Sequence, residues 1–208
     1  YDVGDYAKVL EMVASRLDYD NFKTRYQDSV SKGKLRGISL VPFVETPVGA
    51  PIEMGRVELS ESGKATIFAG TQNHGQVHET TYAQVLSDLL GIPFEDIYLA
   101  WGDTDILPRG GGTHSDRSMR MMGKVLVEIS RDLIIKAKPV ASELLQVEEE
   151  LVEFSQGSFK IKEKTQEINI QEVAKIYPKF NESRSPLMSE YFQEGRIKAY
   201  PYGASGAE

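Results

Sequence analysis

Two loops rich in glycine and hydroxyl residues constrain the fold most strongly, because each follows a predicted strand and precedes a predicted helix. The first reads GTQNHGQVHETT from Gly70, and the second reads GGGTHSDRS from Gly110. A loop that enters a helix presents free backbone N–H groups and favours bound anions. The sequence therefore predicts a layered fold in which two helices begin beside two candidate anion-binding loops.

The spacing of apolar residues predicts the remaining elements. Helical spacing marks residues 5–17, 21–32, 82–90, 119–133 (running towards Pro139) and 170–176. Alternating or β-branched runs predict strands over residues 35–46, 53–60, 64–70 and 96–102, with short β-like pieces over 151–161 and a polar tail after the last helix. This order predicts an α+β protein with helices packed on a mixed sheet.

The predicted order of helices and strands suggests three regions. Residues 1–33 form a helical lead-in, residues 34–146 a core that contains both loops, and residues 147–208 a portion of a second subdomain. The chain begins without Met and stops at AYPYGASGAE without a completing element. We therefore expect an internal portion of a longer polypeptide.

Composition excludes several classes of function. The formal net charge is -7 and the 24 Lys and Arg residues are scattered, which argues against a nucleic-acid surface. The absence of Cys excludes a disulfide framework, a thiolate nucleophile and Cys-ligated metal within this chain. No apolar run approaches the ~20 residues that span a bilayer. We expect a cytoplasmic protein with no membrane contact.

In the first loop, Gly75 allows close backbone approach to a ligand, and Gln76 offers an amide donor and acceptor. The alternative is a plain connection in which Thr80 or Thr81 caps the helix, with Thr81 and Gln84 at the spacing of a capping box. The residue pattern alone leaves both interpretations open.

In the second loop, three consecutive glycines are entropically costly. Such a cost is tolerated where a loop closely contacts a ligand, and the alternative is a flexible surface loop; the residue pattern leaves both open. Thr113, Ser115 and Ser118 supply hydroxyls, and Ser115 is predicted to cap the following helix in either case. Arg117 adds a fixed cation that could pair with a phosphate or with solvent.

All three histidines, His74, His78 and His114, fall in or beside these loops. Together with Glu79 they allow a zinc site, and with it a zinc hydrolase, as an alternative. Gly75 argues against a regular helix at His74, and the sequence is not the H-E-x-x-H motif.

Four linked motifs resemble the molybdenum-binding large subunit of the xanthine dehydrogenase, aldehyde oxidase and carbon monoxide dehydrogenase family. These motifs are GTQNHGQVHETT, LGIPFEDI, GDTD and GGGTHSDRS. The upstream stretch and the terminal AYPYGA also look like the family, so that the resemblance covers nearly the whole chain. Val77 replaces a glycine that is usual in the family, and Asp116 stands where a serine is usual.

The resemblance implies that the two loops hold the pyrophosphate of a pterin cofactor, commonly molybdopterin cytosine dinucleotide. The residues that it assigns to cofactor binding are His74, Gly75, Gln76, Gly112, Thr113, His114, Ser115, Arg117 and Ser118. The family's catalytic glutamate lies in a later segment with no counterpart here. We therefore expect no catalytic residue and no metal ligand in this chain.

The resemblance further implies an oxidoreductase that inserts water-derived oxygen into an aldehyde, an N-heterocycle or carbon monoxide. Its partners would be the remainder of the large subunit and iron–sulfur and FAD subunits or domains, in an oligomer. The alternative is a non-catalytic scaffold or interface module, because an isolated portion is expected to be inactive and to retain no cofactor.

Overall fold

A computed structural model describes residues 5–45, 49–162, 164–195, 197 and 204–207. The helices are α1 (Tyr6–Arg16), α2 (Phe22–Ser31), α3 (His78–Leu90), α4 (Arg117–Leu145) and α5 (Ile170–Phe180). The strands are β1 (Pro42–Glu45), β2 (Ile52–Leu59), β3 (Ala65–Ala69), β4 (Ile97–Trp101), β5 (Val152–Ser155), β6 (Ser158–Ile161), β7 (Glu167–Asn169), β8 (Leu187–Glu194) and β9 (Ala204–Ala207). The predicted α+β class with a mixed sheet is confirmed.

The chain divides into two compact units. One contains residues 1–47 and 199–208, and the other contains residues 48–198. The expected boundary at residue 147 falls inside the second unit. None of the described helices is long and apolar enough to cross a membrane.

In the first unit, α1 and α2 appear where helical spacing predicted them, and β1 pairs antiparallel with β9. The side chain of Asp5 caps α1 by accepting the Lys8 N–H at 3.0 Å. The strand predicted over residues 35–46 is limited to β1. The earlier part of that run makes no ladder with any described strand, and Leu35 is 91% exposed.

The second unit is built around a four-stranded sheet with the order β4-β3-β2-β8. Strands β3 and β4 are parallel, with Ala65 opposite Ile97 and Ala69 opposite Trp101. The other two pairings are antiparallel. Because β3 and β4 run in the same direction, their carboxyl ends lie at one edge of the sheet, where ligands commonly bind in α/β structures. Both glycine-rich loops leave the sheet at this edge.

Helices α3 and α4 cover one face of this sheet. Alternate residues of β2 and β3 are buried there, as Val57, Leu59 and Ile67 show, and they join one core with Leu86 and Ile129. This alternation is the pattern that a sheet with a single covered face requires. The packing holds the amino termini of both helices close to the loops.

Helix α4 continues beyond Pro139, where the sequence predicted that it would end. A proline inside a helix removes one backbone hydrogen bond and costs roughly 3 kcal/mol. After Pro139, however, Val140, Ala141 and Leu145 remain buried in the core. The burial of this apolar stripe stabilises the last turns of α4 and outweighs the local cost.

The later part of the second unit adds a three-stranded sheet, β5-β6-β7, and helix α5. Asn169 and Glu172 form a capping box at the start of α5. The predicted polar tail is wrong over residues 187–194, because β8 pairs with all of β2 there. Leu187 and the polar Ser189 are buried whereas Glu190 is exposed, so polar residues lie on both faces of the strand and no alternation of apolar residues marks it.

Candidate functional site

A cavity of about 470 Å³ lies at the carboxyl ends of β3 and β4. Both glycine-rich loops contribute to its wall, which includes Gly70, Gln72, His74, Gly102, Asp103, Arg109, Gly110, Gly112 and Thr113. The structure thus brings together the two segments that the sequence singled out, which are separated along the chain by α3 and β4.

Direct hydrogen bonds join the two loops. The Nε2 atom of His74 lies 3.2 Å from the carbonyl oxygen of Thr113, and the Thr113 hydroxyl donates to the Gln72 carbonyl at 2.5 Å. His74 and Thr113, both predicted site residues, therefore connect one loop to the other.

The loops also touch through glycine backbones. A Cβ atom at Gly110 would lie 2.3 Å from the carbonyl oxygen of Gly70, and a Cβ at Gly70 would lie 2.8 Å from the Arg109 carbonyl oxygen. Neither distance is possible for a real side chain. At least part of the glycine run is therefore required for contact between the loops.

The first loop is stabilised from within by Asn73, which sequence reasoning missed. Its Oδ1 atom accepts the N–H groups of Gly75 and Val77, each at 3.0 Å. The Gln76 side-chain oxygen accepts the His74 N–H at 2.8 Å. Gly75 has φ 121°, and no atom of the described residues outside its immediate chain neighbours lies within 4 Å of the position that its Cβ would occupy. The backbone at Gly75 is thus open to an approaching group.

Helix α3 begins at His78, and its N-cap is Val77, which has φ 60° and provides no side-chain hydrogen bond. The predicted caps at Thr80 and Thr81 are therefore wrong, because both residues already lie within the helix. A positive φ is a genuine outlier for a β-branched residue. Val77 is held in this conformation directly after the open Gly75–Gln76 segment.

The second loop enters α4 through two further left-handed residues, Ser115 at φ 48° and Asp116 at φ 51°. The N-cap is Asp116 without a side-chain bond, so the predicted cap at Ser115 is wrong. The Ser115 hydroxyl instead lies 3.0 Å from Nδ1 of His114.

The N–H groups of residues 112–116 find no acceptor among the residues that the structure describes. They form a row of free donors at the start of α4.

Arg117 is fully buried and forms an ion pair with the equally buried Glu53, with an N–O distance of 2.9 Å. Its guanidinium also donates to the carbonyl oxygens of Ala50 at 2.9 Å, of Gly112, and of Ile52. A Cβ at Gly111 would lie 2.3 Å from this guanidinium. Arg117 therefore stabilises the second loop from its buried side.

The Glu53 carboxylate lies under both loops. It accepts the Met54 N–H at 3.0 Å, and a Cβ at Gly70 would lie 2.5 Å from its Oε1 atom. Burial raises the pKa of Glu53 above its ordinary value, while the charge of Arg117 and the N–H groups of Met54 and Gly111 oppose this change. The sequence assigned no role to Glu53, because nothing in the spacing of the carboxylates singles it out as one of an acid and base pair.

The histidines do not converge on one point. His78 is buried and stacks on Tyr82 with a ring-centroid distance of 4.7 Å, whereas His114 contacts Ser115 and the Gly111 carbonyl. Within the described ranges, no group of three or more His, Asp or Glu residues is placed to hold a metal ion. The zinc alternative therefore has no geometric support.

Comparison with known proteins identifies this architecture. Residues 12–208 match the family described as the molybdopterin cofactor-binding domain. The chain belongs to that family. The match includes both loops and the whole of the second unit, so this molybdopterin cofactor-binding domain contains the cavity and the Glu53–Arg117 pair beneath it.

Relatives of the domain are parts of larger proteins. It is 32% identical over 176 residues to the carbon monoxide dehydrogenase large chain of Hydrogenophaga pseudoflava, covering 78% of this chain and 22% of that one. It is 27% identical over 209 residues to the 6-hydroxypseudooxynicotine dehydrogenase complex subunit gamma of Paenarthrobacter nicotinovorans, covering 99% and 26%. The chain therefore spans about a quarter of the length of these relatives.

A solved structure shares the fold. The reconstituted CO dehydrogenase from Oligotropha carboxidovorans matches with a TM-score of 0.65 and 25% identity, covering 93% of this chain and 27% of that chain. The predicted membership of the molybdenum-binding large-subunit family is confirmed.

The residues of the domain suit an elongated anionic group. Gly75 leaves space beside the backbone of the first loop, and residues 112–116 present free N–H groups in the second. The Ser118 hydroxyl is buried and has no hydrogen-bond partner among the described residues. Both helices that begin here direct the positive end of their dipoles towards this edge.

Proposed function

We propose that the two loops of this domain together bind the pyrophosphate and pterin of molybdopterin cytosine dinucleotide, in the large subunit of an oxidoreductase. The observation that supports this most strongly is the row of N–H groups over residues 112–116 that have no acceptor among the described residues, in the loop that leaves the same sheet edge as the loop with the open Gly75. Backbone donors at a helix N-terminus are a general solution for phosphate binding.

His74, Gly75 and Gln76 would contact the cofactor from the first loop. The Gln76 side chain already accepts the His74 N–H, so its amide group retains its two N–H donors for a ligand. The Asn73 bonds to Gly75 and Val77 fix the backbone in advance. This preorganisation reduces the entropy lost when the cofactor binds.

From the second loop, Gly112, Thr113, His114 and Ser115 would supply backbone N–H groups, and Ser118 a hydroxyl below them. Arg117 was expected to contact the cofactor directly, but its guanidinium is occupied by Glu53 and three carbonyl oxygens. We assign Arg117 to holding the loop in place. Arg117 would then contribute to binding indirectly, because its hydrogen bond to the Gly112 carbonyl oxygen fixes the position of the loop.

When bound, the cofactor would supply the redox chemistry for inserting water-derived oxygen into an aldehyde, an N-heterocycle or carbon monoxide. The residues of this chain would orient the cofactor and surround its anionic part with fixed dipoles. The remainder of the large subunit would provide the catalytic residues, and iron–sulfur and FAD partners would accept the electrons. The proposal is supported by the names of the relatives, which are dehydrogenase subunits.

The test uses the full-length protein purified with its partner subunits. Molybdenum is measured by mass spectrometry, and nucleotide is measured after release by heat. We expect both in the wild type, and on the order of a tenfold loss of both in Gln76→Ala, as expected when about 1.4 kcal/mol of binding is removed.

Gln84→Ala is the matched control, because Gln84 is an exposed glutamine on α3 outside both loops. It should retain wild-type molybdenum and nucleotide. The proposal fails if the wild type contains no molybdenum, or if Gln76→Ala retains full amounts of metal and nucleotide.

A further inference from the structure

The wall of the cavity includes Arg109, to which the sequence motifs assigned no role. We propose that Arg109 supplies the positive charge that compensates the phosphate groups of the bound ligand, the role that sequence reasoning gave to Arg117. This inference rests on the proposed function, because it assumes that the anionic part of the ligand occupies the cavity between the two loops.

The backbone of Arg109 lies where the two loops meet. Pro108 and Gly110 on either side also line the cavity. The Arg109 carbonyl oxygen packs so closely on Gly70 that no Cβ would fit there, since the separation would be 2.8 Å. Contact with the first loop therefore fixes the point from which the Arg109 side chain extends.

The guanidinium of Arg109 is held near this edge of the sheet by an aromatic ring. Its central carbon lies 5.1 Å from the ring centroid of Phe192, which is on β8 opposite Met54 of β2. A cation above an aromatic face is attracted by the ring but keeps its N–H donors free at the edge. The side chain is thus restrained without losing its capacity to bind phosphate.

The charge of Arg109 has no opposite charge paired with it in the part of the chain that the structure describes. Among the described residues no carboxylate lies within 4.0 Å of its guanidinium, whereas Arg117 pairs with Glu53, and Arg56 pairs with Glu58 and Glu190. An unpaired guanidinium beside a cavity is suited to bidentate binding of phosphate oxygens. Arg109 lines the cavity, whereas Arg56 and Arg117 do not.

The same loop carries an opposite charge that serves as an internal control. Asp103 also lines the cavity, and one of its carboxylate oxygens accepts the Asp105 N–H at 2.9 Å. An anionic ligand should be attracted by Arg109 and repelled by Asp103. Removal of the Arg109 charge should therefore lower affinity and removal of the Asp103 charge should not, whereas general damage to the loop would lower affinity in both variants.

The experiment titrates inorganic pyrophosphate into the full-length protein, produced in a host that makes no molybdenum cofactor, and follows binding by calorimetry. Arg109→Gln should weaken binding by on the order of tenfold, the effect of losing one charge-assisted phosphate contact. Arg109→Lys should retain part of the affinity, because it keeps the charge but loses the planar fork. Asp103→Asn should bind as tightly as the wild type or more tightly.

Three results would overturn the proposal. These are failure of the wild type to bind pyrophosphate, wild-type affinity in Arg109→Gln, and equal weakening in Asp103→Asn and Arg109→Gln. Thermal midpoints of the variants should match that of the wild type, because Arg109 and Asp103 are both exposed. A lowered midpoint in Arg109→Gln alone would show that its effect is structural and would also count against the proposal.

The molybdenum content of the same variants, produced in a cofactor-competent host, separates this inference from the proposed function. Loss of molybdenum in Gln76→Ala, with full content in Arg109→Gln and unchanged pyrophosphate affinity, would reject the role of Arg109 alone. Absence of molybdenum from the wild type would reject the proposed function, and the pyrophosphate titration would still decide whether Arg109 binds a phosphate group.

Discussion

Glu53 and Arg117 form an ion pair of 2.9 Å in which neither side chain has any solvent exposure. Glu53 comes from β2 and Arg117 from the first position of α4, so the pair links the sheet to the helix that begins at the second loop. A buried charge without its partner carries a large desolvation cost. The pair therefore has one stable arrangement, and that arrangement sets the position of both loops.

Glu53→Gln should be strongly destabilising, because it leaves the Arg117 guanidinium buried without a counter-charge. We expect the free energy of unfolding to fall by about 3–5 kcal/mol, measured by denaturant titration. Glu58→Gln on the same strand is the control, since it loses only the partly exposed pair with Arg56 and should cost about 1 kcal/mol or less. Equal costs at the two positions would contradict the account.

Gly110→Ala should disturb the contact between the loops, because its Cβ would lie 2.3 Å from the Gly70 carbonyl oxygen. We expect destabilisation of about 1–3 kcal/mol, as for overpacking in a rigid site. In α4, Gly123→Ala should instead stabilise by about 0.5–1 kcal/mol, because its Cβ would have only an ordinary contact at 3.9 Å. Thermal melts of both variants test this, and a neutral effect of Gly110→Ala would show that the loops are free to separate.

Val77→Gly should remove backbone strain. Val77 has φ 60°, and a left-handed conformation costs an L-residue with a Cβ roughly 1–2 kcal/mol. The greater freedom of glycine in the unfolded chain offsets part of this gain, roughly 0.4–1 kcal/mol. We expect a small net rise in the thermal midpoint, and a clear fall would mean that the Val77 side chain makes a stabilising contact.

The buried His78 should make stability depend on pH. Burial lowers the pKa of His78 below its ordinary value of 6.5, so the unfolded chain takes up a proton at a higher pH than the folded chain does. The free energy that burying the neutral His78 ring contributes to folding is fully present above the pKa that His78 has in the unfolded chain. It is lost as the pH falls from there towards the lower pKa of the folded chain. Denaturant titrations from neutral to mildly acidic pH should show this loss, and it should be reduced in His78→Phe, which keeps a ring to stack on Tyr82. Identical pH slopes would exclude His78 as the cause.

Sequence patterns predicted the parts of this structure that depend on local periodicity. The helices and the β3 and β4 strands appear in the predicted order, and the apolar stripes of α3, α4 and α5 match single buried faces. The edge strand β8 could not be predicted from its local residue pattern, since its pairing with β2 depends on residues far away in the chain.

In the site, too, local patterns were predictive and tertiary contacts were not. The glycine and hydroxyl content located both loops but did not reveal the role of each residue in them. Arg117 looks like an available cation in the sequence, and only the fold reveals that Glu53 neutralises it. The N-caps were mispredicted because Val77 and Asp116 both adopt left-handed conformations at the helix starts, which is a genuine outlier for the β-branched Val77. Arg109 was missed because its proximity to Gly70 and Phe192 is a tertiary contact.

Both loops are expected to contact one and the same cofactor. Hydrogen exchange of backbone amides, measured by mass spectrometry on the full-length protein with and without its molybdenum cofactor, tests it most directly. We expect slower exchange in the bound state over residues 70–77 and 110–116 together, with no change over α5. Equal exchange in the two states at both loops, in protein shown to contain molybdenum, would contradict the account.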